Sequence, residues 1–170
     1  QAGLAARVTF QAVVPGPLPL PDASQDLVYS SGVFLQIADK AGLFAECLRV
    51  LVPGGRLVVY DWTQPPGPQS PALRRFIELE GLTYAMRPLA EHGELLRACG
   101  FVEIALEDLA AWYRTEARRE WERMKGPLFP EMVARLGQGA AEHFVENWAA
   151  MVAALDLGDL LPARYKARKP

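Results

Sequence analysis

The sequence predicts an α/β fold with a mostly parallel sheet and a helical C-terminal region. Three features predict it: an apolar strand over residues 26–30, one apolar helix face over 39–51, and a strongly apolar strand over 56–61 entered through Pro53-Gly54-Gly55. A strand, a helix and a strand of these lengths make a right-handed crossover between parallel neighbours.

Each element has a local reason. Residues 7–14 (Arg-Val-Thr-Phe-Gln-Ala-Val-Val) are rich in β-branched and apolar side chains, and Pro15-Gly16-Pro17 stops them, which predicts a short first strand and then a loop. The polar turn Pro21-Asp22-Ala23-Ser24 leads into the second strand, Asp26-Leu27-Val28-Tyr29-Ser30. Leu43, Phe44, Cys47, Leu48 and Leu51 then recur at helical spacing, with Asp39 as the expected N-cap. Pro53-Gly54-Gly55 reads as a tight turn, and Gln64 to Pro71 holds too much proline for regular structure and reads as a loop on the active-site side.

Helices are expected over 71–81 and 90–99, the latter closed by Gly100 as a C′ glycine. A strand follows over 101–109, with Val102, Ile104 and Leu106 on one face. Further helices are expected over 115–125, 130–136 and 140–155, and a last short strand over 163–167. Phe144, Trp148, Met151, Val152 and Leu155 make the stripe of the longest helix, and Gly137-Gln138-Gly139 reads as a flexible helix connection. Trp112, Tyr113, Trp121 and Trp148 read as core. His92 and His143, without partners at metal-ligand spacing, read as surface histidines and give no metal site.

Composition narrows the function. The 170 residues are 51% hydrophobic and 22% charged, the make-up of one globular domain: a sheet part over 1–61, then helices and last strands over 62–170. Eighteen Lys and Arg against 20 Asp and Glu leave a net charge of -2, which supplies no field for nucleic acid or an anionic membrane. Apolar runs fall short of the roughly 18 to 20 residues of a membrane span, and the N-terminus lacks a signal pattern, so a cytoplasmic protein is expected. Cys47 and Cys99 are spaced neither as a metal knuckle nor as a disulfide framework and read as buried small hydrophobes. Arg118-Arg119-Glu120 and the charges of 164–169 read as solvated faces and tail.

Residues 18–30, continued by Leu43-Phe44-Ala45-Glu46-Cys47-Leu48-Arg49-Val50-Leu51-Val52-Pro53-Gly54-Gly55-Arg56-Leu57-Val58-Val59, resemble the middle of class I S-adenosylmethionine-dependent methyltransferases of the type 11 kind. Leu95-Leu96, Cys99-Gly100-Phe101 and Glu103 are similar to the helix and strand that follow in that family. Asp39-Lys40-Ala41, Tyr60-Asp61-Trp62 and Arg164-Tyr165-Lys166 point to its phosphoethanolamine methyltransferase-like branch. The resemblance spans nearly the whole chain, strongly over 18–61 and weakly after 110.

The resemblance implies a Rossmann-like methyltransferase sheet with S-adenosylmethionine as cofactor over the C-terminal ends of the strands. It implies cofactor contacts at Ala12, Val13 and Val14, where Val14 stands in place of the family's adenine-binding Asp, and at Ser30, Ser31 and Gly32 beneath the methionine moiety. On the acceptor side it implies Gln36, Asp61, Trp62 and Glu80. There Gly32 and Gln36 replace an Asp and a His of the phosphobase branch, and Glu80 replaces an Arg that would hold phosphate. Gln36 cannot act as a general base at neutral pH, and a carboxylate repels a phosphate. Asp61 and Trp62 read either as facing a cationic or apolar acceptor or as a loop cap and a core side chain.

The family's glycine-rich turn and ribose-binding acid are not found in this sequence, which begins at Gln1. The expectation is therefore a methyltransferase chain missing its N-terminal strands and inactive alone, acting with its remainder on a small molecule. The alternative is a non-catalytic methyltransferase-like module, or a subunit that completes its sheet with a partner chain or a second copy.

Overall fold

The computed structural model describes Gly3 and residues 7–170. Four strands form an open mixed sheet in the order β1-β2-β4-β3: β1 is Gln25–Ser31, β2 Leu51–Thr63, β3 Val102–Asp108 and β4 Leu161–Arg168. β1 and β2 run parallel, with Val28 opposite Leu57 and Ser30 opposite Val59, and α1 (Lys40–Val50) joins them. The crossover predicted from residues 26–61 is present. β4 is antiparallel to both β2 and β3, so β1, β2 and β3 point the same way and the sheet is mostly parallel.

α1 begins where the sequence placed it, because the Asp39 carboxylate accepts a 2.8 Å bond from the Gly42 amide. Pro53-Gly54-Gly55 is not a turn between separate elements. It is an excursion within β2: the register steps from Gln25 opposite Leu51 to Leu27 opposite Arg56, and Gly54 takes φ +80° at the bend.

α2 (Pro71–Glu80) is capped by the Ser70 hydroxyl, and α3 (Leu89–Cys99) ends at Gly100 with φ +101°. α4 (Ala110–Lys125), α5 (Phe129–Leu136) and α6 (Gln138–Leu157) follow. α4 starts earlier than the expected residue 115, because the Asp108 carboxylate accepts from the Ala110 amide and opens the helix directly after β3. Gly137, at φ +86°, joins α5 to α6.

Two apolar clusters hold the layers. One face of the sheet packs Leu57, Val59 and Tyr165 against Phe44 and Cys47 of α1 and Leu96 of α3. The Phe44 and Tyr165 rings meet edge to face at 6.1 Å. The second cluster sits among the helices: Leu73 and Phe76 of α2, Ala117 of α4, and Met151 and Leu155 of α6 close over Leu35 and the half-buried Trp62. This helical layer therefore caps the strand ends at Leu35 and Trp62. Among the described residues no helix is long and apolar enough to cross a membrane.

Several expectations are corrected. Residues 7–14 form no strand; they are exposed coil, with Phe10 94% and Val14 79% exposed, since β-propensity without a partnering strand makes no ladder. Val102 leaves the Ile104 and Leu106 face because Glu103 takes φ +51° at a register shift against β4. Trp112 is exposed, whereas Tyr113, Trp121 and Trp148 pack against the helical cluster. His92 is buried, its Nδ1 3.1 Å from the Pro88 carbonyl and its ring 5.1 Å from that of Tyr165. Cys99 is only half-buried beside the buried Cys47. The basic residues of 164–168 belong to β4 and pair across to β3, Arg164 with Glu107 at 2.5 Å and Arg168 with Glu103 at 2.7 Å.

Candidate functional site

β1 ends at Ser31, opposite Tyr60, β2 runs on to Thr63, and the candidate site residues from 30 to 80 lie at that end or in the elements packed by it. β1 stops because Gly32 turns away with φ +66°, its amide still bonded to the Tyr60 carbonyl at 2.9 Å. A Cβ at Gly32 would meet nothing within 4 Å, so the backbone borders open space. Ser30 is buried and its hydroxyl has no partner, whereas Ser31 is exposed. Ala12, Val13 and Val14 lie in the exposed coil, without a side-chain hydrogen bond.

Beyond Gly32 a single 3₁₀ turn, Phe34–Gln36, exposes Gln36 and buries Phe34 and Leu35. Asp61 lies beneath this turn, 3% exposed: one carboxylate oxygen accepts from the Leu35 amide at 2.8 Å and the other from its neighbour Trp62 at 2.9 Å. Of the two sequence readings of Asp61, the loop cap is the one with contacts in the structure. Burial raises its carboxyl from the usual 3.8 to about 6, against the backbone donors and the Lys40 charge, which favour the ionised form. Lys40, 2% exposed, donates to the Phe34 carbonyl at 2.6 Å and to that of Ile37. Burial pulls its ammonium down to about 8, opposed by Asp61 and aided by Arg87.

The layer packed over the strand ends is aromatic and acidic. Trp62 stands at 5.3 Å from Tyr113 and 6.4 Å from Phe76, and Phe76 at 6.2 Å from Tyr84. Glu80 accepts from the Asn147 side-chain amide and, at 3.4 Å, from the Tyr84 hydroxyl. Asn147 is buried and its own Oδ1 has no partner. A cleft of about 400 Å³ opens nearby between Ala38, the Pro65–Gly67 loop and Arg87 to Glu91.

A profile for the Methyltransferase domain family matches residues 2–59, which span β1, α1 and most of β2. Phosphoethanolamine N-methyltransferase 3 of Arabidopsis thaliana is 27% identical over 146 residues, covering 86% of this chain and 29% of that protein. In this stretch the chain is similar to class I methyltransferases. The 27-O-demethylrifamycin SV methyltransferase of Amycolatopsis mediterranei is another relative, 30% identical over 71% of this chain and 45% of its own length. Phosphoethanolamine N-methyltransferase 2 of Haemonchus contortus, solved with phosphomonomethylethanolamine and S-adenosylhomocysteine, superimposes with TM-score 0.80 at 22% identity over 89% of this chain and 35% of that one. The [4+2]-cyclase SpnF matches over 99% of this chain and 58% of its own, at 28% identity and TM-score 0.67. The chain thus spans less than half the length of those two curated relatives.

Within the methyltransferase frame, the structure gathers Ser30, Ser31, Gly32, Gln36, Asp61 and Trp62 at the ends of β1 and β2. Glu80 stands across the helical layer, bonded to α6 through Asn147. Ala12 to Val14 are exposed and belong to neither apolar cluster. Lys40 and Tyr84 pack at this candidate site, and sequence reasoning passed over them. The signal for Lys40 was present: it shares the Lys40, Phe44, Cys47, Leu51 stripe of α1, a charge on an apolar face. Tyr84 carries no comparable local sign, since it lies in an irregular segment between α2 and α3.

Proposed function

We propose that this chain is the acceptor-side part of an S-adenosylmethionine-dependent methyltransferase acting on a small molecule, and that by itself it is inactive. One observation carries the reading: two parallel neighbouring strands lead to a glycine turn bordering open space, under a helical layer that packs on Trp62 of β2 and carries Glu80 at the end of α2. When bound, S-adenosylmethionine would supply a sulfonium methyl for in-line transfer. The residues at the strand ends fit one wall of its pocket. Gly32 lets the backbone come close, and the Ser30 hydroxyl is a buried polar group without a protein partner. The exposed Ala12 to Val14 would add an apolar contact to the adenine.

The chain's own work is then positioning and exclusion of water. Trp62, backed by Phe76 and Tyr113, offers an aromatic surface that suits an amine or apolar acceptor. Glu80, held by Asn147 and Tyr84, repels phosphate, and exposed Gln36 can orient the acceptor by hydrogen bonding but cannot take its proton. A second reading, a non-catalytic module completed by another strand, draws on the outer edge of β1. That edge has no partner strand among the described residues, and Leu27 and Tyr29 are 53% and 65% exposed.

Calorimetry and amide-shift mapping with S-adenosylmethionine and S-adenosylhomocysteine test both. Weak binding, with shifts at Ser30 to Gly32, supports the first reading. Submicromolar binding overturns the statement that the chain is inactive alone, and no shift at about 1 mM ligand, equivalent to less than about 4 kcal/mol, favours the second.

A further inference from the structure

We propose that Lys40 and Asp61 are positioning residues that grip the turn from Phe34 to Ile37 by its backbone and so fix Gln36 at the acceptor side of the strand ends. The proposal rests on the methyltransferase reading only for what the turn faces; the grip itself is a property of the fold.

The turn begins directly after the glycine that ends β1 and lies between three elements. From the end of β2, the Asp61 carboxylate takes the Leu35 amide at 2.8 Å. From the first position of α1, the Lys40 ammonium reaches back to the Phe34 carbonyl at 2.6 Å and to the Ile37 carbonyl. From the segment before α3, the Ala85 amide binds the Leu35 carbonyl at 2.7 Å. Within the turn only the short-range bonds from Gln36 to Val33 and from Ile37 to Phe34 remain, at 3.1 and 3.0 Å. A turn this short does not hold one geometry by such bonds alone, so its conformation is set by the groups that reach it from outside.

The choice of residues supports a positioning role over a packing one. Lys40 is 2% exposed on the apolar stripe of α1, where an uncharged side chain of equal length would fill the space without the desolvation of an ammonium. What an apolar replacement lacks is a donor that reaches two carbonyls at once. Asp61 likewise spends both oxygens on backbone amides. Charge-assisted bonds of this kind are shorter and more directional than neutral ones, which suits a device that fixes geometry.

The test is amide hydrogen exchange in the 170-residue chain, comparing wild type with Lys40→Met, Lys40→Arg and Asp61→Asn, with amides 150–155 of α6 as internal reference. Lys40→Met, which removes both charged hydrogen bonds, is expected to speed exchange at Leu35, Gln36 and Ile37 by about tenfold or more, while α6 is unchanged. Lys40→Arg, which keeps a cationic donor, restores part of the protection. Asp61→Asn, which keeps one acceptor oxygen, gives a smaller acceleration centred on Leu35.

Unchanged exchange at the turn in Lys40→Met overturns the proposal. Acceleration equal at the turn and in α6 does so too, as does failure of both Lys40→Met and Asp61→Asn to fold, since the pair would then be holding the whole sheet. Failure of the methyltransferase reading shows separately, as absence of cofactor-induced shifts in a wild-type chain whose turn is protected.

Discussion

Replacing Tyr165 by Phe should stabilise this chain. Tyr165 lies in the middle of β4, is fully buried, and its hydroxyl has no hydrogen-bond partner among the described residues. Burial, with Asp61 and Cys47 nearby, pushes the phenol well above its ordinary pKa, so the hydroxyl stays neutral and simply pays for lost hydration. A buried polar group left unpaired costs about 1 to 3 kcal/mol. Phenylalanine keeps the ring and its contacts, 6.1 Å from Phe44 and 5.1 Å from His92, and leaves a space of only one oxygen atom. That void takes back part of the gain, so the expected net is about 1 kcal/mol in favour of the variant, or roughly 2 to 4 °C in Tm for a domain of this size. Urea unfolding followed by circular dichroism, with an unchanged slope, measures it. A loss of about 1 kcal/mol or more would refute the reasoning, because it would mean that the hydroxyl is bonded, through an ordered water or through His92.

Other outcomes follow from the same contacts. Asp61 titrates at about 6 when folded and near 3.8 when unfolded, so its stabilising contribution is complete below about 4 and is lost as pH rises through 6; Lys40, at about 8 against 10.5, contributes fully above 10.5 and loses that as pH falls through 8. Unfolding free energy should therefore dip by about 3 kcal/mol for Asp61 between pH 4 and 6 and recover between 8 and 10.5, and a flat urea-midpoint profile would contradict the burial of both groups. Gly42→Ala, which raises intrinsic helix propensity, should nevertheless destabilise by about 1 kcal/mol, because the new Cβ would clash with Oδ2 of the Asp39 carboxylate, whose Oδ1 caps α1; a rise in Tm would show the cap to be dispensable. Phe44→Ala, at a fully buried position between sheet and α1, should cost about 3 to 5 kcal/mol in the same assay. With a disulfide-exchange reagent on the native chain, half-exposed Cys99 should react first and Cys47 only on unfolding, since its thiol is 1% exposed and burial pushes it up to about 12. Equal rates would contradict the packing of α1.

Much of the scaffold could be read from the chain. The 39–51 stripe, the Asp39 cap, the Gly100 stop and the two apolar strands at 26–30 and 56–61 are local signals, and each became the expected element because its causes lie within a few residues. The residues at the ends of those two strands were accordingly brought together as a candidate site. What went astray depended on partners far along the chain. Residues 7–14 have strand composition and no ladder to join. His92 and Lys40 are polar types that the fold buries. Trp112 is an aromatic that it leaves out.

The sequence by itself determined the helices, the strands β1 and β2, and that these strands and α1 form a parallel crossover, because hydrophobic period, caps and glycine stops act over one or two turns of chain. The tertiary structure alone decided that the last strand, the least marked in composition, enters the sheet between β2 and β3, and that Lys40 and Asp61 each reach the backbone of the turn at Phe34. Those outcomes rest on pairings across tens of residues, such as Val59 with Tyr165 and Leu35 with Asp61, whose loop-closure cost is repaid only when the whole sheet assembles.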